Sequence, residues 1–171
     1  MAGRKLQAYP GQVLVFDGDA AYDTRAEVAA IVQANTALTT FSKIWQKTVP
    51  AQQVIQWGYG SPALPRNQGL MHFMALDEST DSEEGLVRLV ASNARETNKK
   101  VVAEIPSQRL HTVTYTTIAT ATPLGFDNLF PLPAIGPRMG EDDRMIIEFR
   151  TVVTGTTVDV VDFSIPCTFW Q

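Results

Sequence analysis

Three aspartates, Asp17, Asp19 and Asp23, follow a short apolar run, Val13-Leu-Val-Phe16, and form the densest chemical functionality early in this sequence. A carboxylate at the end of an apolar strand can attack phosphorus and form an aspartyl-phosphate. The same oxygens can gather a hard cation such as Ca²⁺, which takes roughly six to eight oxygen ligands. Their spacing is that of the opening of a calcium loop, but the glycine at its sharp turn and its closing glutamate are missing. The competing reading is structural. Asp17 and Asp19 then shape a turn, and Asp23 stabilises the positive end of a following helix. That reading is preferred, with Asp17, Asp19 and Asp23 kept as candidate cation ligands.

The segment Val13–Ala20, VLVFDGDA, also resembles the first motif of haloacid-dehalogenase-type phosphatases. The resemblance implies Asp17 as nucleophile and Asp19 as acid/base. Beyond this segment the match departs. Thr or Val usually stands two residues past the second aspartate, where this chain has Ala21. The family's late acidic pair follows an apolar strand, whereas Glu141-Asp142-Asp143 precedes one. The family also needs a parallel sheet with crossover helices, which the rest of the chain does not offer. An Asp-dependent phosphatase is therefore the last-ranked alternative, the chain is read as non-enzymatic, and no residue is assigned a catalytic role.

Other reactive groups are sparse. His72 falls in an apolar run and His111 follows Arg109 closely; neither has a nucleophile or acid at a spacing that defines a triad. Cys167 alternates with Ile165 and Phe169, the pattern of a small buried hydrophobe. As the lone cysteine it excludes an intrachain disulfide and a multi-thiolate zinc site. The run from Asp77 to Glu84 is expected to be a solvated acidic connection. Trp57, Tyr59 and Trp170 fall at strand ends, where rings can stack on a sugar. They are the candidate ligand-binding residues of a carbohydrate- or receptor-binding module, although packing is the preferred use. No cofactor is implied.

The elements that must position these residues are mostly strands. Gln12–Asp17 reads as a strand. Thr24–Ala34 reads as the one helix, with Thr24 and Glu27 spaced as a capping box and an apolar stripe of Val28, Ile31 and Val32. From Ala37 the period becomes two. Strands are expected in Ala37–Val49, Gln53–Tyr59, Leu70–Leu76, Val101–Ile105 and His111–Thr122. Leu86–Ala94 fits either period and is assigned as strand, bounded by Gly85 and the turn-like Ser92-Asn93. Arg144–Val153 and Thr156–Val161 flank Thr154-Gly155, expected to be a hairpin turn. Ile165–Phe169 alternates to the end. Many short strands at this spacing indicate an antiparallel sandwich or barrel.

Composition agrees. The 171 residues fit one domain, 44% of them are hydrophobic, and the eighteen threonines favour pleated, half-buried surfaces. A net charge of −4 argues against a nucleic-acid module and so against direct sequence-specific nucleic-acid binding. No stretch approaches a membrane span and no secretory signal is expected at the amino end. The expectation is a soluble protein made in the cytoplasm, with residues 1–171 forming a single all-β, jelly-roll-like β-sandwich.

Two segments ask for partners. Met1–Gly11 has no apolar period of its own and is expected to be an arm, with Tyr9 at a contact. Pro123–Gly140 is a Pro/Gly-rich loop carrying Phe126, Leu129, Phe130 and Leu132, too apolar to stay exposed. In overall style the chain is similar to jelly-roll capsid, cement or decoration proteins of viruses and tailed phages. Lys47–Gly60 and Gly140–Phe149 in particular look like segments of such proteins. The resemblance implies a structural role in a virion, with copies of itself and other capsid proteins as partners, assembled from protein made in the host cytoplasm.

Overall fold

A computed structural model describes residues 6–34, 39–58, 70–76, 85–107, 130–131, 135–151 and 160–171; for 70–76, 130–131 and Val160 it describes the backbone. The elements are β1 (Ala8–Leu14), a 3₁₀ turn (Val15–Asp17), α1 (Arg25–Ala34), β2 (Ser42–Thr48) and β3 (Val54–Trp57). They continue with β4 (Leu70–Leu76), β5 (Gly85–Ser92), β6 (Lys99–Pro106), β7 (Phe130–Pro131), β8 (Arg144–Thr151) and β9 (Val160–Trp170).

The pairing is nested. β1 pairs with β9, β2 with β8, β4 with β7 and β5 with β6, all antiparallel. The chain is thus one long hairpin rolled up on itself. Its successive turns are joined where β9 meets β4 and β8 meets β5. The result is two sheets, β1-β9-β4-β7 with β3 also on β9, and β2-β8-β5-β6. Two antiparallel sheets wound this way are a jelly roll, the all-β fold expected from sequence. β8 and β9 belong to different sheets. The expected hairpin turn at Thr154-Gly155 lies outside the described residues. The expected strand His111–Thr122 lies outside the described residues.

The core fills the space between the sheets. Met145, Ile147 and Phe149 of β8 and Val87, Leu89 and Ala91 of β5 form one cluster with Val161, Phe163, Ile165 and Cys167 of β9. Trp45 stands at the centre, edge-on to Phe163 at 5.4 Å and tilted to Trp57 at 6.4 Å. A buried indole must place its N–H. Trp45 donates to the Val15 carbonyl at 3.0 Å and Trp57 to the Val90 carbonyl at 3.1 Å.

Helix α1 closes the space beyond the end of β1. The Glu27 amide donates to the Thr24 hydroxyl, which donates to the Glu27 carboxylate, so the expected cap is present. Val28, Ala29 and Val32 enter the core, and Arg25 pairs with Asp162 of β9 at 3.2 Å. The strand expected through Asp17 stops at Leu14, where the chain tightens into the 3₁₀ turn.

Candidate assembly surface and the expected site residues

The aspartates lie between β1 and α1 and are used locally. Asp17 Oδ2 accepts the Leu14 amide at 2.7 Å. Asp19 accepts the Thr48 amide at 2.8 Å, the Thr48 hydroxyl at 2.7 Å and the Gln46 side-chain amide at 2.8 Å. Burial alone would raise the Asp19 pKa; the hydrogen bonds from Thr48 and Gln46, with the charge of Arg144, hold it below the usual carboxylate value. Asp23 is exposed just before the helix cap. The three do not converge as cation ligands: among the described residues no group of three His, Cys, Asp or Glu side chains is placed to hold a metal. Both oxygens of Asp19 accept hydrogen bonds that fasten this turn to β2.

The aromatic candidates separate. Trp57 has 0% exposure and lies in the core, so it offers no face to a sugar. Its alternation with Ile55 turned it inward, a signal that favoured packing over stacking. Trp170 is 6% exposed, with the Arg138 guanidinium 4.6 Å above its ring. Tyr59 lies outside the described residues. Cys167 is fully buried, and burial pushes its thiol pKa up, away from nucleophilic chemistry.

The long loop is partly anchored within the chain. Phe130 pairs with Met71. Further on, Met139 exchanges both backbone hydrogen bonds with Ile55, and the Gly136 amide donates to the Trp57 carbonyl at 3.0 Å. The Gln56 side chain donates to the Gly136 carbonyl. This stretch therefore continues the sheet beside β3. Phe126, Leu129 and Leu132 lie outside the described residues. At the amino end, the expected arm is zipped onto β9 from Ala8 onward. Tyr9 is 39% exposed and stacks on Phe169 at 5.5 Å.

Sequence reading missed a second acidic turn. Glu96, between β5 and β6, reaches Lys43 of β2 and Arg144 of β8, each at 2.5 Å, and Lys99 of β6 at 3.4 Å. Lys99 also pairs with Glu148 at 2.9 Å. The hydrogen bond from Lys43 dominates; with Arg144 and Lys99 it outweighs burial and holds the Glu96 carboxyl at about 2. Glu96 sits in the left-handed region, φ 54°, inside a turn organised by Asn93, whose side chain accepts the Thr97 and Asn98 amides. Ile146 and Val90, on the sheet face turned away from the core, are fully buried. Spacing could announce only the Glu96–Lys99 pair, three residues apart; the other members arrive from β2 and β8.

Two antiparallel sheets, nested pairing and one helix between the first two strands define the class as jelly-roll proteins. Family models and curated protein sequences give no match to this chain. Among solved structures, the fold is similar to VP17, a capsid protein of bacteriophage P23-77, with TM-score 0.55, 9% identity and 97% of each chain covered. It is similar also to the VP16–VP17 complex of the two major capsid proteins of that phage, with TM-score 0.53, 10% identity, and 95% of this chain and 98% of that chain covered. At such identity the likeness is one of fold.

Proposed function

We propose that this protein is a non-enzymatic structural subunit of a viral capsid, residing in the virion and assembling with copies of itself and with other capsid proteins. The observation that carries this reading is the likeness to phage capsid proteins over nearly the whole of both chains. Fold alone does not define function, but the local chemistry points the same way, since the acidic turn that resembled a phosphatase motif is spent on structure.

The contacts proposed are the apolar loop, through Phe126, Leu129, Phe130 and Leu132, and the amino-terminal segment around Tyr9. Burying these loop side chains removes on the order of a few hundred Å² from water, at about 25 cal/mol per Å² several kcal/mol before ordering costs. The test is light scattering and electron microscopy of the purified chain, alone and with co-expressed capsid proteins of its source. The expected result is discrete higher-order particles. Phe130→Ala is expected to fold with unchanged β content but to assemble poorly. A monomer under all these conditions would overturn the reading.

A further inference from the structure

The turn that leads into β8 is fixed in its backbone and unsatisfied in its charges. Met139 exchanges both backbone hydrogen bonds with Ile55, at 2.8 and 2.9 Å, and the Asp142 amide donates to the Val49 carbonyl at 3.1 Å. The Asp143 amide donates to the Gly140 carbonyl at 3.0 Å, and the Gly140 amide donates to the Asp143 carboxylate at 3.0 Å. Within residues 138–143 the exposed side chains are those of Arg138, Glu141 and Asp142.

Arg138 is held differently from most cations fixed in this fold. Arg25, Lys43, Arg88, Lys99 and Arg144 each meet a carboxylate. Arg138 lies instead over the Trp170 ring, and among the described residues no carboxylate forms an ion pair with it. Glu141 and Asp142 likewise form no ion pair with a described residue. A guanidinium held over an indole is pre-oriented and weakly hydrated, so it loses little on taking a carboxylate. Arginine and tryptophan are also the side chains that most often anchor protein contacts.

We infer that this corner docks against the same corner of a second copy about a twofold axis, Arg138 of each chain meeting Glu141 and Asp142 of the other. This contact rests on the assembly reading above and gives it a specific geometry. The charges select the occupant. A surface that is only acidic would satisfy Arg138 but be repelled by Glu141 and Asp142, three and four residues further on. The complement must offer carboxylates and a cation at the same spacing, and a second copy presents that combination. A twofold repeats the pair, so each chain both gives and receives it, as in the self-complementary contacts commonest among homo-oligomers.

The experiment compares the full-length Arg138→Glu variant with a chain carrying both Glu141→Arg and Asp142→Asn. Asparagine suits the left-handed backbone at position 142, φ 66°. Circular dichroism checks that each folds, and light scattering reads the association of each alone and of an equimolar mixture. Either variant alone sets like charges together at both halves of the twofold, and is expected to associate at least about tenfold more weakly than wild type. The mixture is expected to recover wild-type association, because opposite charges then meet at both halves. Wild-type association by either folded variant, or a mixture no stronger than its parts, would overturn this contact and leave the capsid reading intact. If Arg138→Glu does not fold, the second variant alone decides: undiminished association overturns the contact. A wild-type chain that stays monomeric with and without co-expressed capsid proteins would remove both.

Discussion

Asp19 and Glu96 are both ionised anchors of turns, and they are built in opposite ways. Asp19 is held by neutral donors on a single strand, two of them from Thr48 and one from Gln46. Glu96 is held by three cations from β2, β6 and β8, with its side chain 20% exposed. Of the two, Glu96 is the one whose carboxyl is driven as low as about 2. Yet loss of Asp19 is expected to be the more damaging. Its donors stay where the fold puts them and lose their acceptor, whereas lysine and arginine can swing their charges into water. A displaced pKa measures how well an anion is surrounded; the cost of deleting it depends on what its partners can do afterwards.

The largest expected effect lies beside Asp19. A Cβ at Gly18 would stand 2.3 Å from the Tyr22 carbonyl oxygen and 2.6 Å from the Trp45 indole nitrogen. Gly18→Ala therefore forces the new methyl against the Tyr22 backbone and the Trp45 indole, with an expected loss of about 3 kcal/mol in urea unfolding. Gly140→Ala, where nothing lies within 4 Å, is the matched control and is expected to change stability little. Equal effects at the two glycines would show that the aspartate turn is not rigidly seated on Trp45.

Next in size is Asp19→Ala, expected to cost about 2 kcal/mol, since the Thr48 amide, Thr48 hydroxyl and Gln46 amide lose their acceptor. Thermal and urea unfolding read this directly. A cost smaller than that of Glu96→Gln would reverse the ranking of the two turns.

The contrast also separates what sequence can and cannot reveal. The cap at Thr24 and Glu27, strands β4, β5 and β6, and the inward alternation of Ile165 and Cys167 were all local patterns, and the structure contains them. Local patterns do not carry the pairing: a rolled hairpin pairs β8 with β2 and β5, while β9, the next described strand, lies in the other layer. Asp17 and Asp19 show the same limit. Spacing showed that the carboxylates were close in sequence, but not that Thr48 and Gln46 would arrive from β2 to occupy Asp19. Pro166 shows the limit from the other side. A proline in an inner strand argues against that strand, yet β9 runs through it. The Gly58 carbonyl opposite, denied a ladder donor, accepts the Thr168 hydroxyl at 2.7 Å instead.

The smallest expected effect belongs to Glu96→Gln, about 1 kcal/mol at neutral pH, because the pairs are partly solvated. Its signature is the pH dependence. The folded-state carboxyl is held at about 2, against an ordinary value of 4.5. A depressed carboxyl contributes stability that is fully present above its ordinary pKa and lost as pH falls through the folded value. The wild-type advantage over Glu96→Gln is therefore expected to shrink between about pH 4.5 and about 2. At the acid limit the protonated carboxyl, like the amide, carries no charge for Lys43, Arg144 and Lys99. High salt at neutral pH should narrow the same gap by screening. Thermal midpoints of both proteins, followed by circular dichroism across this pH range, make the comparison. Two curves that remain parallel down to the acid limit would mean that the charge of Glu96 does not hold the turn, and that Asn93 and the backbone fix it unaided.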